Sequence, residues 1–178
     1  MRIDTTPVAD LTPADREELR ALTAAVYTPE VIATLPETRV TWAPTPWSLR
    51  VRDDDGRLVS HVGMLTRDVE VDGTPTTIGG IGGVKTHPDA RGRGYASAAL
   101  QTAAAFFTDD LGVAFILLVC LPPTVPYYER LGWQRFHGRL LVAQPGGTIP
   151  FTTNLPMALA ARAAAPLDGT INLCGYPW

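Results

Sequence analysis

Between Arg91 and Ala96 the sequence reads Arg-Gly-Arg-Gly-Tyr-Ala, two guanidinium groups spaced by bare backbone at the entry to an alanine-rich segment. A helix N-terminus offers backbone N–H groups without intrahelical acceptors and the positive end of a macrodipole. Glycines let an anion come close to those amides, and Arg91 and Arg93 add formal charge. The combination suits a pyrophosphate. A glycine-rich turn with two solvated arginines is the plainer alternative. The β-like run before the motif and the helix-like run after it favour the cradle. The GxxxxGK[ST] loop of nucleotide triphosphatases is absent, and a dinucleotide fingerprint would need three glycines and a downstream acid in a βαβ unit. The phosphate therefore belongs to another kind of ligand.

The elements around the motif follow from pattern. DLTPADREELRALTAAVY, from Asp10 to Tyr27, opens on Thr12-Pro13 and keeps Leu19, Leu22, Ala25 and Val26 at helical spacing, which predicts a capped amphipathic helix. The Pro- and Trp-rich span from Pro29 to Trp47 reads as irregular, with a short helix around Glu30 to Thr34, and is a candidate substrate loop. Ser48 to Arg52 and Arg57 to Glu70 read as strands around an Asp53-Asp54-Asp55-Gly56 turn. Asp72-Gly73 then signals a hairpin into Thr76 to Thr86. Ala96, Ala99, Leu100, Ala103 and Phe107 form a helical apolar stripe, and Val113 to Leu121 suits a buried central strand. A short helix from Val125 to Leu131 ends at Gly132, and strands follow over Trp133 to Ala143 and Ile149 to Ala158. The predicted fold class is α/β (α+β): one domain over 1–178, with a mixed, mainly antiparallel sheet flanked by helices.

Composition narrows the function. The chain has 178 residues, 46% hydrophobic, and a net charge of −3, which argues against general nucleic-acid binding. No apolar run suits a membrane span, and MRIDTTPVAD lacks the pattern of a secretory signal, so the expectation is a cytoplasmic protein. Cys120 and Cys174 make neither a disulfide framework nor a zinc-ligand spacing, and no metal is expected. Cys120 in FILLVCLPP reads as a buried, inert thiol.

Arg91-x-x-Gly94-x-Ala96 resembles the acetyl-CoA signature (Q/R)-x-x-G-x-(G/A) of the Gcn5-related N-acetyltransferases. Tyr127-Tyr128-Glu129-Arg130-Leu131-Gly132-Trp133 resembles the family's second landmark, with a long helix and a buried strand between the two. The resemblance implies acetyl-CoA as acyl donor, with Arg91, Gly92, Arg93, Gly94, Tyr95 and Ala96 on the pyrophosphate. It implies that Val84 and Thr86 pair with the pantetheine arm and that the Val84 N–H polarises the acetyl carbonyl. Glycines 79, 80, 82 and 83 would then serve a bulge and close backbone approach, or plain tight packing. Tyr128 matches the position of a general acid for the thiolate, with simple packing as the other reading. The base is not visible: His61, His87, His137 and the carboxylate of Trp178 are candidates.

Within the superfamily the chain is most similar to the aminoglycoside 2′-N-acetyltransferases. The likeness rests on the opening helix, Trp42, Ser60-His61, Arg91-Gly92, Tyr128 to Gly138 and a final Trp178. It implies a homodimer and a small amine substrate, an antibiotic or a natural-product amine, beside Gly82 and the aromatics Trp42, Trp47, Tyr176 and Trp178, whose plainer reading is packing or a subunit interface. The departures lie in the amine pocket. Where that group carries acids, this chain aligns Thr41, Gly82, and Tyr176-Pro177. Losing such charge partners weakens polycation binding, unless Glu37 or the aspartates at 53 to 55 substitute. A less cationic or more apolar amine is expected. A non-catalytic acyl-CoA-binding module and an O-acyltransferase are the competing classes.

Overall fold

The computed structural model describes residues 1–35 and 40–178; Glu37 and its neighbours in the candidate substrate loop lie outside them. The described residues pack as two compact units, 1–35 with 45–64 and 82–103, and 40–44 with 65–81 and 104–178. Two long strands, β3 (Leu58–Val71) and β4 (Thr74–Thr86), run through both. The hairpin between them turns on Asp72 and Gly73, both at positive φ (48° and 80°), as the Asp-Gly pair requires.

In the first unit, β1 (Arg2–Pro7) pairs antiparallel with β2 (Trp47–Arg52), and β2 pairs antiparallel with β3. The first element is thus a strand. The expected helix-first order missed it because RIDTTP has one large apolar residue and owes its conformation to the β2 backbone. Helix α1 (Pro13–Val26) starts on a capping box: the Thr12 hydroxyl accepts from the Asp15 N–H at 3.1 Å, and the Asp15 carboxylate accepts from the Thr12 N–H at 3.0 Å. The short α2 (Pro29–Thr34) is capped by Thr28. Successive β2 residues point to opposite faces, so Arg50 and Arg52 share one, where Arg50 meets Asp15 and Arg52 meets Glu18. Helix α3 (Tyr95–Ala105) buries Ala99, Leu100 and Ala103, as its stripe predicts, and continues into a wider helical turn, Phe106–Asp110, that buries Phe107.

In the second unit, β5 (Phe115–Cys120) is the predicted buried strand, and α4 (Val125–Glu129) follows it. The strands β6 (Gln134–Arg135), β7 (Arg139–Gln144), β8 (Gly147–Pro150), β9 (Leu155–Ala160) and β10 (Thr170–Asn172) replace the two longer ones expected. Gly138 marks the break: a Cβ there would come within 2.7 Å of the Gly169 amide nitrogen. β5 pairs parallel with β4 and antiparallel with β9. The ladders give the order β6-β9-β5-β4-β3-β10-β7-β8, with β2 joined to β3 and β1 to β2. This is the expected mixed, mainly antiparallel sheet with helices. The core of this unit gathers Leu65, Ile78, Leu117, Phe136, Leu140, Ile171 and Trp178.

Among the described residues no helix is long and apolar enough to cross a membrane.

Candidate functional site

The four glycines of β4 divide between two tasks. A Cβ on Gly79 would lie 2.7 Å from the Phe107 ring, and one on Gly80 would lie 2.6 Å from the Trp178 indole nitrogen, so these two make room for aromatic rings. Both sit in the parallel ladder, where Gly79, Gly80 and Ile81 face Ile116, Leu117 and Leu118. Gly83, farther along, has φ +58°, a conformation that glycine adopts without steric cost. Val84 and Thr86 follow it on the same strand.

After β4 the chain makes a tight turn at Pro88–Ala90, whose first amides are met by the His87 ring: Asp89 N–H donates to His87 Nδ1 at 3.3 Å. Arg91 then donates from Nε to the Thr86 carbonyl at 3.4 Å. Gly92 and Gly94 stand at φ +75° and +82°, and a Cβ at either would meet no atom within 4 Å, so glycine is required there by conformation rather than by crowding. The Gly94 carbonyl accepts from Ala98 N–H at 2.9 Å, which makes Gly94 the residue that starts α3. The N–H groups of Tyr95 and Ala96 fall in the first turn, where helix geometry supplies no acceptor. Arg91, Gly92, Arg93 and Gly94 are exposed. An exposed pair of guanidinium groups around a helix start is a ready anion site.

Beneath this strand, in the same unit, lies a polar cluster. Ser48, Arg50, Ser60 and His61 are buried. The His61 ring has Nε2 3.1 Å from the Ser48 hydroxyl and Nδ1 3.4 Å from the Gly83 carbonyl. Burial, then the nearby Lys85 charge, push its pKa down to about 4. A ring so held is neutral at pH 7, which makes it a poor acceptor for an ammonium proton. The Ser60 hydroxyl donates to the Lys85 carbonyl at 2.8 Å, and Lys85 Nζ donates to the Thr23 hydroxyl at 3.0 Å. Burial holds the Lys85 pKa below the usual lysine value. Asp15 is lowered chiefly by its hydrogen bonds from Thr12, and Glu18 by its hydrogen bond from Arg52. Sequence reading singled out Ser60 and His61 but not their grouping with Ser48, Arg50 and Lys85. Its visible trace was the alternation of Ser48, Arg50 and Arg52 opposite the acids of the first helix.

In the second unit Tyr128 is 8% exposed on α4, packed edge-on to Tyr127 at 5.2 Å and Trp133 at 6.1 Å between ring centroids. Gly132 ends the helix at φ +87°, and its N–H donates to the Glu129 carbonyl at 3.0 Å. Trp42 and Tyr176 are 40% and 38% exposed. Trp42 meets Phe151 edge-on at 5.9 Å, and the Thr41 backbone is bracketed by Gln144, which accepts its N–H and donates to its carbonyl. Trp178 differs: it is 7% exposed, its indole N–H donates to the Leu117 carbonyl at 3.4 Å, and Arg67 lies over its ring at 5.1 Å. Its indole is therefore a core side chain, and the Tyr176 carbonyl nearby in the chain accepts from the same Arg67. Gly82, in the first unit, is buried. Cys120 is a buried free thiol, its pKa raised by burial, as expected. Among the described residues no group of three or more His, Cys, Asp or Glu could hold a metal ion.

The family model described as "Acetyltransferase (GNAT) domain" matches residues 8–136. No curated protein matches the chain. Among solved structures, the GNAT-family N-acetyltransferase YhbS from Escherichia coli in complex with CoA is 17% identical, with a TM-score of 0.60 over 97% of this chain and 90% of that one. A GNAT-family acetyltransferase from Brucella melitensis in complex with acetyl-CoA is 18% identical, with a TM-score of 0.57 over 96% of this chain and 94% of that one. An acyl-CoA N-acyltransferase from Pseudomonas aeruginosa is 18% identical, with a TM-score of 0.62 over 89% and 99%. At these identities the likeness is one of fold. The family model covers well over half of the chain, including residues 91–96, and the chain belongs to the GNAT acetyltransferases.

Proposed function

We propose that this chain is an acetyl-CoA-dependent N-acetyltransferase of a small amine that carries less charge than an aminoglycoside. The observation that carries the reading is the pair of left-handed glycines, Gly92 and Gly94, set between two arginines at the start of α3. CoA or acetyl-CoA in two structures of the same fold supports it. In this reading the amides at the start of α3, from Tyr95 and Ala96, bind the pyrophosphate together with Arg91 and Arg93. The β4 backbone at Val84 and Thr86 pairs with the pantetheine arm.

The amine nitrogen attacks the thioester carbonyl carbon, forming a C–N bond, and the C–S bond breaks. The Val84 N–H donates to the carbonyl oxygen as negative charge builds on it, the step at which a preorganised donor counts most. The Tyr128 hydroxyl gives its proton to the departing thiolate, and the amine's proton passes to solvent. Trp42 and Tyr176 supply exposed aromatic surface for the acceptor, Gly82 is its backbone contact, and buried Trp178 supports Tyr176. Thr41, Gly82 and Tyr176-Pro177 align with the positions at which the aminoglycoside 2′-N-acetyltransferases carry acids, so a polycation finds few partners. The likeness to that group also supports a homodimer, which sedimentation would test.

The experiment is acetyl-CoA turnover followed by free-thiol release against kanamycin, tobramycin, monoamines and apolar amines. Turnover confined to the less charged amines supports the reading. Acetylation of the aminoglycosides refutes its substrate half. Binding of CoA with silence across all amines points instead to a non-catalytic acyl-CoA-binding module.

A further inference from the structure

The Gly83 carbonyl and the Val84 N–H are the two ends of one peptide plane. A trans peptide directs them in opposite senses, so whatever fixes the carbonyl aims the N–H. Gly83 has no side chain to do this, and it stands at φ +58°. The contact on that carbonyl is His61 Nδ1, at 3.4 Å. A carbonyl oxygen only accepts, so Nδ1 carries the proton, and Nε2 accepts from the Ser48 hydroxyl at 3.1 Å. β3 and β4 also lie close here: a Cβ on Gly63, two residues along β3, would approach the Gly82 carbonyl to 3.1 Å and collide with Thr45. Ser60 ties β3 to the Lys85 carbonyl on the far side of Val84. The chain on either side of Val84 is thus hydrogen-bonded to side chains of consecutive β3 residues.

We propose that His61 is a positioning residue for acyl transfer: its Nδ1–H anchors the Gly83 carbonyl and thereby aims the Val84 N–H at the thioester oxygen. The inference rests on the reading of Val84 as the oxyanion donor and adds the group that orients it. Polarisation works in the same direction, because a hydrogen bond to the carbonyl strengthens the N–H of the same peptide as a donor. His61 touches no substrate in this role and moves no proton. Arg50, its cross-strand neighbour on β2, and Lys85 on β4 are the cations that face it and favour the neutral ring.

The first test needs no variant. Long-range proton–nitrogen NMR of the intact chain reads the His61 tautomer; protonation at Nδ1 is expected, and protonation at Nε2 overturns the proposal. The second follows the Val84 amide resonance on addition of acetyl-CoA to wild type, His61→Leu and His61→Asn. A shift in wild type that is lost in His61→Leu and restored in His61→Asn, whose side-chain N–H sits where Nδ1 was, is the expected pattern. No shift in wild type overturns the donor reading and this inference with it. A shift unchanged in His61→Leu overturns this inference alone. With an amine that is turned over, His61→Leu is expected to lower kcat about tenfold while the acetyl-CoA KM stays within about twofold, since a mis-aimed donor loses part of the roughly 10²–10³-fold that a whole oxyanion donor supplies. Recovery in His61→Asn to within about threefold supports positioning, and equal losses in the two variants overturn it.

Discussion

The buried imidazole makes a stability prediction that is independent of catalysis. The folded His61 pKa lies at about 4 against an ordinary 6.5. Between those values the unfolded chain binds a proton that the folded chain excludes, so this group's stabilising contribution is full above about pH 6.5 and disappears as pH falls toward 4. Each pKa unit corresponds to about 1.4 kcal/mol, which puts the whole effect at about 3 kcal/mol. Some of it is already gone at pH 5: the linkage relation gives a loss of about 2 kcal/mol between pH 7 and pH 5 from this residue alone. Urea unfolding at the two pH values, on wild type and His61→Asn, isolates it. Asp15 and Glu18, whose pKa values are depressed by hydrogen bonds from Thr12 and Arg52, lose their contributions as pH falls below the ordinary carboxylate range. Both proteins carry those acids, so they cancel. Wild type should lose about 2 kcal/mol more than the variant over this interval. Equal losses would show that His61 titrates normally in the folded chain, and the buried, neutral ring described above would be wrong.

Three further outcomes follow from single contacts. Gly80→Ala drives a methyl group into the Trp178 indole, whose N–H is tied to Leu117; the overpacking should cost about 1–3 kcal/mol and lower Tm by about 2–12 °C, read by thermal unfolding. The cost should shrink in a Trp178→Leu background, and additive losses would refute the contact. Thr12→Ala removes the hydroxyl of the α1 capping box and should destabilise the chain by about 1 kcal/mol in urea; no change would mean the cap contributes nothing. Tyr128→Phe should lower kcat about 10²-fold with acetyl-CoA affinity unchanged, if the hydroxyl protonates the thiolate. Wild-type turnover would remove Tyr128 from the mechanism.

Local signals read well in this chain because they act through the backbone nearby. Thr12-Pro13, Asp72-Gly73 and Gly132 each announce a cap or turn, and each is found there. The apolar stripe of α3 and the run buried as β5 behave likewise. Non-local facts were not legible. β1 exists because β2 offers it a backbone edge, and β10 is three residues long and pairs with β3 and β7. Nothing in the C-terminal sequence shows that the Trp178 indole fills the space beside Gly80, where it packs in the core. The same holds for the site. The glycine–arginine turn from Arg91 to Ala96 is contiguous, so its left-handed glycines at the start of α3 could be anticipated from the sequence. The link from His61 to the Gly83–Val84 peptide spans two strands and depends on one positive φ.

The central claim is that the start of α3 and its two arginines receive the pyrophosphate of acetyl-CoA, and calorimetric titration of acetyl-CoA into wild type, Gly94→Ala and Gly94→Asp tests it most directly. The alanine variant measures the strain of a side chain at φ +82°, and the aspartate adds a negative charge where the phosphates would sit. The account predicts binding to wild type and an affinity for Gly94→Asp at least about tenfold below that of Gly94→Ala, since like charges about 4–8 Å apart near the surface repel by about 2–4 kcal/mol at an effective dielectric of about 20. Equal affinities in the two variants, or no binding to wild type, would contradict it.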